Sequence, residues 1–154
     1  MARKRQDDFI QSFRFHVVEP TGTFLTATAG FKTVTVPDKS LAPAEYRDGL
    51  TLYTVKQPGI PTIGTATLAQ GATKKQSEFF KWMKACAEGA EYRADLQIVV
   101  HDNSNVSPPN VVKEIDLFEC FPLRNKPIGD LDSTNSEINV RELEVAVEQW
   151  EEKT

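Results

Sequence analysis

Apolar residues recur at every second position in several separate runs of this 154-residue chain and take helical spacing in one short stretch only. Phe13, Phe15 and Val17 alternate with Arg14, His16 and Val18, and Leu96, Ile98 and Val100 alternate between Tyr92 and His101. Side chains two apart lie on one face of a strand, so each run buries one face. The runs from Phe24 to Ala29 and from Phe31 to Val36 are rich in Thr, Val and Phe, and Gly30 between them suits a bend. Further strands are predicted over Thr62 to Leu68, Val111 to Phe121 and Ile138 to Trp150, with Pro122, Pro127 and Gly129 breaking the chain before the last. In that last run the apolar parity changes between Val140 and Leu143, which predicts a bulge near Arg141 and Glu142. Seven or eight strands and one helix predict a mainly β fold, a β-sandwich or β-barrel with one flanking α-helix.

The helical exception runs from Thr73 to Gly89. Thr73 and Gln76 have the spacing of a capping box, and Gly89 is a natural stop. Phe79, Phe80, Met83, Cys86 and Ala87 form the apolar stripe between them, and Phe79, Phe80 and Met83 are assigned to packing on the sheet. Upstream, two prolines with Asp38, Lys39 and Ser40 predict loop over residues 37–49, Leu50 to Val55 is extended, and Pro58-Gly59 predicts a turn. Residues 36–63 thus form a projecting loop or hairpin. It is longer than a connection needs, which points to contact with another body.

A chain of this length is expected to form a single domain, residues 1–154, that buries about 70% of the surface its unfolded form exposes. No apolar run approaches the roughly 18 residues of a membrane span. The cluster Arg3 to Arg5 leads into Asp7 and Asp8 rather than an apolar segment, so no secretory signal is expected, and residues 1–8 read as a solvated arm. Cys86 and Cys120 stand far apart, as reduced thiols of a cytosolic protein would. A net charge of -4 argues against a protein that grips nucleic acid by its phosphates.

The usual carriers of chemistry are missing. His16 and His101 are distant in sequence and read as structural or surface residues, and two Cys with two His at these spacings assemble no familiar zinc site. There is no nucleophile elbow, phosphate-binding glycine loop or dinucleotide fingerprint. Asp130 and Asp132 flank Leu131 without a visible general-acid environment. No catalytic residue, metal ligand or cofactor is therefore assigned, and the chain is not expected to be an enzyme. Its many strand edges must be covered, and ordered self-assembly covers edges.

Taken in order along nearly the whole chain, the residues resemble a family. Phe13-Arg14-Phe15, Gly30-Phe31 before Val34, Glu45-Tyr46-Arg47-Asp48-Gly49 and Pro58-Gly59 come first. Thr67-Leu68, Gly71, Phe79-Phe80-Lys81-Trp82, Arg93, Asp102, Phe121-Pro122, Gly129 and a late Glu-rich strand follow. The chain is similar to the tail tube proteins of contractile phages and the inner tube proteins of extracellular contractile injection systems, and more distantly to the ring protein of type VI secretion. That resemblance implies six-membered rings of this chain stacked into a tube inside a contractile sheath. Its partners would be sheath subunits, baseplate proteins and a tube terminator, and DNA or protein cargo would pass along the bore without specific binding. Assembly would occur in the bacterial cytoplasm, for a virion tail or an injection particle.

On the same likeness, the 36–63 excursion and the 1–8 arm would reach the next ring, with Arg3, Arg5, Glu45, Tyr46, Arg47 and Asp48 at the contact. Glu142, Glu144 and Glu148, opposite Leu143, Val145 and Val147, are candidates for the bore, where negative charge would repel DNA phosphates. The alternative is a β-sandwich adaptor, such as a tube terminator or baseplate-hub component.

Overall fold

The computed structural model describes residues 9–25, 30–74, 77–103, 107–108 and 110–153. Along them run β1 (Phe15–Val18), β2 (Thr33–Thr35), β3 (Lys39–Tyr46), β4 (Val55–Ile63), β5 (Ala66–Gly71), α1 (Glu78–Ala87), β6 (Ala94–His101), β7 (Val111–Lys126), β8 (Val140–Ala146) and β9 (Gln149–Lys153). The main sheet has the order β1-β6-β7-β8-β5-β2, with β9 pairing β7, and β3 and β4 form a separate two-stranded sheet. Every pairing is antiparallel. The path ends at β1 and β2, which do not pair with each other, so the sheet is mainly β as expected but not a closed barrel.

The longest strand, β7, makes the corner of the fold. Its first part pairs with β6 and β9, and from Phe121 onward it pairs with β8. At the change of partner one extra residue enters β7, because Leu96 faces Leu117 whereas Ala94 faces Cys120. Glu119 takes a left-handed φ of 54 there, and its N–H donates to Asp95 Oδ1 at 3.0 Å. An inserted residue bends and twists a strand, which lets one chain serve both halves of the sheet. The strand predicted to end before Pro122 therefore continues to Lys126. Pro122 sits beside a second register shift, where a missing N–H is tolerated.

The core lies between the inner face of the sheet and α1. Val17, Leu68, Leu96, Ile98, Leu117, Leu143 and Val145 supply the sheet side, and Phe79 and Trp82 supply the helix side. Full burial of one such side chain contributes roughly 1.5–3 kcal/mol. Trp82 stacks on Phe24 with ring centroids 5.6 Å apart, Phe79 stacks on Phe31 at 6.2 Å, and the Trp82 indole N–H donates to the Tyr92 carbonyl at 2.6 Å. The helix face is thus rotated from the predicted stripe. Phe80 is 62% exposed, Met83 is half-buried, and Trp82 fills the position assigned to them. With Phe79 fixed in the core, a residue three positions on returns to the same face, whereas the next residue turns about 100° away.

The helix also starts later than the capping-box spacing indicates. Ser77 is the N-cap residue, without a side-chain cap bond, and Glu78 opens the helix. Gln76 lies outside the described residues, as do residues 26–29 of the predicted strand from Phe24. The predicted last strand is two strands. The break falls at Val147–Glu148 rather than at Arg141–Glu142, because β8 is claimed by β5 and β7 and β9 by the far half of β7. Arg141 keeps the parity of Leu143 and Val145 and is buried with them.

Candidate functional site

Residues 39–63 make a hairpin whose strands, among the described residues, pair only with each other. The segment predicted as loop is a strand, and Pro58-Gly59 lies inside β4 rather than at a turn. Pairing explains both departures. Pro43 faces Pro58, a place where neither residue has to donate across the ladder, and the register shift between Leu41 and Pro43 absorbs one extra β4 residue. At that shift β3 comes so close that a Cβ on Gly59 would sit 2.1 Å from the Ala42 carbonyl oxygen. Only glycine leaves room for the partner strand there.

The base of the hairpin is closed by Gly64 N–H, which donates to the Asp38 carbonyl at 2.9 Å, and it meets the body where the Lys39 ammonium lies 4.9 Å from the Trp150 ring centroid on β9. Such a cation–π contact favours one orientation of the hairpin stem. At the tip, Asp48 Oδ1 accepts from Leu50 N–H at 2.9 Å, and the Asp48 carbonyl accepts from Thr51 N–H and Oγ1. That turn holds Leu50, Leu52 and Tyr53 outward, at 98%, 85% and 84% exposure. Tyr46 is exposed beside them, and Glu45 pairs across the stem with Lys56 at 3.9 Å. Arg47 follows directly, so Glu45, Tyr46, Arg47 and Asp48 come together at the tip end of the hairpin. Arg3 and Arg5 lie outside the described residues.

The carboxylates assigned to the bore separate into two places. Glu142 and Glu144 stand on the outer face of β8, and Arg124 of β7 reaches both, at 3.4 and 3.5 Å. Lys126 is the cross-strand neighbour of Glu142, so this face carries balanced charge rather than a negative wall. Glu148 lies past the end of β8 and pairs with Arg93 at 2.9 Å. Arg93 also lies over the Phe121 ring at 5.4 Å.

The weighed catalytic pair does not converge. Asp130 is an exposed partner of Lys126, and Asp132 is tied up in its own turn, where hydrogen bonds from Thr134 hold its carboxyl below the usual range. Among the described residues no group of three or more His, Cys, Asp or Glu could hold a metal ion. A cleft of about 430 Å³ is lined by Thr21, Glu91, Tyr92, Arg93, Ala94, Asp95 and Glu119, and it holds no nucleophile–base pair. No helix among the described residues is long and apolar enough to cross a membrane.

Two clusters escaped the sequence reading. The buried Arg141 guanidinium lies 4.0 Å from the Phe79 ring centroid, donates to Gln70 Oε1 at 2.6 Å and pairs with Glu78 at 3.4 Å. Gln70 Nε2 in turn donates to the Gly30 carbonyl, so one cation ties β8, β5, the helix start and the residue-30 loop together. The second cluster is His16 with His101, brought to 2.7 Å by the pairing of β1 with β6. Only the parity of Arg141 with Leu143 hinted at the first, and nothing in sequence distance hinted at the second.

Comparison with known proteins follows from this geometry. Residues 11–151 match the family described as T4-like virus tail tube protein gp19. Among solved structures, a chain of the anti-feeding prophage tube-terminating cap aligns with a TM-score of 0.83 at 20% identity, over 100% of this chain and 95% of that one. A chain of the PVC extracellular contractile injection system, from the extended sheath-tube complex, gives 0.82 at 21% identity over 96% and 93%. Hcp1 from Flavobacterium johnsoniae gives 0.56 at 14% identity over 91% and 94%. Comparison with curated protein sequences finds no match. The match across nearly its full length shows that this chain belongs to the T4-like virus tail tube protein gp19 family, as a structural tube subunit and not an enzyme.

Proposed function

We propose that the chain acts as one tail-tube unit, that six copies form a ring, and that the β3–β4 hairpin joins each ring to the next in a contractile injection machine. The observation that carries this reading is the hairpin itself. It spends 25 residues on a two-stranded sheet that pairs with no other strand among the described residues, and it ends in exposed Leu50, Leu52 and Tyr53. An isolated hairpin is marginal in water, and exposed apolar side chains in a group mark an interaction site.

Prolines narrow the mode of contact. A proline opposite another strand turns its missing donor outward, so Pro43, Pro58 and Pro61 strip amides from the hairpin's open edges. Contact between rings then rests on side chains at the tip rather than on an added strand. The residues Tyr46, Arg47 and Asp48, with Glu45 on the stem, belong to that contact, and the arm carrying Arg3 and Arg5 supplements it. Glu142 and Glu144 line the bore together with Arg124 and Lys126, as a balanced surface that neither holds nor strongly repels a passing polyanion. Glu148, held by Arg93 at a different corner, falls outside this row. Sheath, baseplate and terminator proteins are the expected partners, with DNA or protein as cargo, and assembly takes place in the bacterial cytoplasm.

Replacing Leu52 and Tyr53 by Asp tests the reading. Single rings in negative-stain micrographs, where the unaltered protein gives tubes, support it, and tubes of unchanged length contradict it. The likeness to a chain of a tube-terminating cap keeps a second reading in view, an adaptor that closes a tube. An adaptor gives rings that never stack, even without substitution.

A further inference from the structure

The two histidines of the chain meet across the outermost strand pair of the sheet. Among the described residues β1 is an end strand that pairs with β6 alone, from Phe15 opposite Val100 to Val18 opposite Gln97. Four residues of ladder hold it, and the ladder is extended by the His101 N–H donating to the Arg14 carbonyl and by Arg14 Nη1 donating to the Asp102 carbonyl. Beside these bonds His16 Nδ1 and His101 Nε2 lie 2.7 Å apart, with ring centroids 4.6 Å apart. One proton occupies the gap between the nitrogens. His101 Nδ1 is buried and has no hydrogen-bond partner among the described residues.

The placement of protons follows. A buried N–H without an acceptor costs more than a buried lone pair without a donor, so His101 carries its proton on Nε2 and donates it to His16 Nδ1. His16 then carries its own proton on Nε2. A further proton on His16 Nδ1 removes the acceptor and sets N–H against N–H.

We propose that the His16–His101 pair is an acid-sensitive latch that fastens edge strand β1, and the chain leading into it, to the rest of the sheet. Neutral, the pair contributes a hydrogen bond and a stacked contact; a proton on His16 Nδ1 takes away the acceptor and with it that bond at the strand's attachment. The charged groups around the pair are mixed. Arg14 and Asp102 sit at its end of the β1–β6 ladder, Glu114 of β7 stands opposite Val99 on the His16 face with Asp116 two residues along, and Lys153 of β9, across from Glu114, pairs with Asp116 at 2.9 Å, while Lys113 pairs with Glu152. Burial and then the neighbouring His101 hold His16 below its ordinary range. A group whose folded pKa is depressed takes up its proton more readily when unfolded. The latch is therefore intact above about pH 6.5 and weakens as pH falls through the ordinary histidine value towards the lower folded one. The proposal rests on strand pairing alone and stands or falls apart from ring stacking.

The test is made on the full-length protein. Imidazole NMR shifts followed from pH 8 to 4.5 give the titration midpoints, and amide exchange gives protection factors in β1, β5 and β8. His16 is expected to titrate below about 6.5, and β1 protection to fall about tenfold or more from pH 7.5 to 5 while β5 and β8 keep theirs. In His16→Gln the extra loss in β1 disappears. A His16 midpoint at or above 6.5, or β1 protection that falls only in step with β5 and β8, overturns the proposal. If His16→Gln does not fold, the titration and exchange of the unaltered chain still decide.

Discussion

The Glu19 carboxylate is buried and accepts hydrogen bonds from Thr21 Oγ1 and from the N–H groups of Thr23, Phe24 and Leu25, the last at 2.6 Å. It organises the chain as it leaves β1 and sets Phe24 against Trp82. Glu19→Gln keeps the shape but turns an NH2 group towards backbone donors, and a loss of about 1–3 kcal/mol in urea unfolding is expected. Arg141→Ala leaves Glu78 and Gln70 without their shared cation, and the same measurement should give a loss of roughly 3 kcal/mol. The two thiols should separate as well. Burial pushes Cys120 up to about 12, so in the native protein iodoacetamide should modify the half-buried Cys86 and spare Cys120. None of these roles was legible in the sequence. Glu19 and Arg141 are polar residues whose worth depends on partners that only the fold supplies.

At the scale of elements, alternation was a good guide wherever one face of a strand meets the core. β8 alternates strictly between buried and partly exposed residues, β6 does so from Ala94 to Ile98, and strands were placed over both from their pattern. The hairpin strands were not, because β3 is exposed at every residue and has no apolar face to read. Its prolines and polar residues look like loop until a partner strand is given. Pro58-Gly59 misled for the same reason: the glycine answers the approach of Ala42, not a turn. The helix was placed, but its face was read one residue out at Phe80, since Phe79 and Phe80 are equally apolar and only packing distinguishes them. Gly59→Ala tests the hairpin account. Forcing a Cβ into the Ala42 carbonyl should shift the β3–β4 register, seen as lost amide protection in Lys39–Ile63, at a cost of about 1–3 kcal/mol. The core strands β6 and β8 should keep theirs.

For the whole molecule, membership of a tube family fits a fold whose task needs no reaction centre: a bent sheet sealed by α1, with one hairpin left over. Ring and tube are properties of many copies, so sequence patterning within one copy could only point to surfaces, and the resemblance along the chain supplied the assembly. The central claim is that the hairpin tip joins rings. The double substitution Leu52→Asp and Tyr53→Asp lies on exposed positions, so it should change unfolding free energy by no more than about 0.5 kcal/mol. Negative-stain microscopy of this variant beside the unaltered protein tests the claim most directly. The account predicts tubes from the unaltered chain and unstacked rings from the folded variant, and tubes of equal length from both would contradict it.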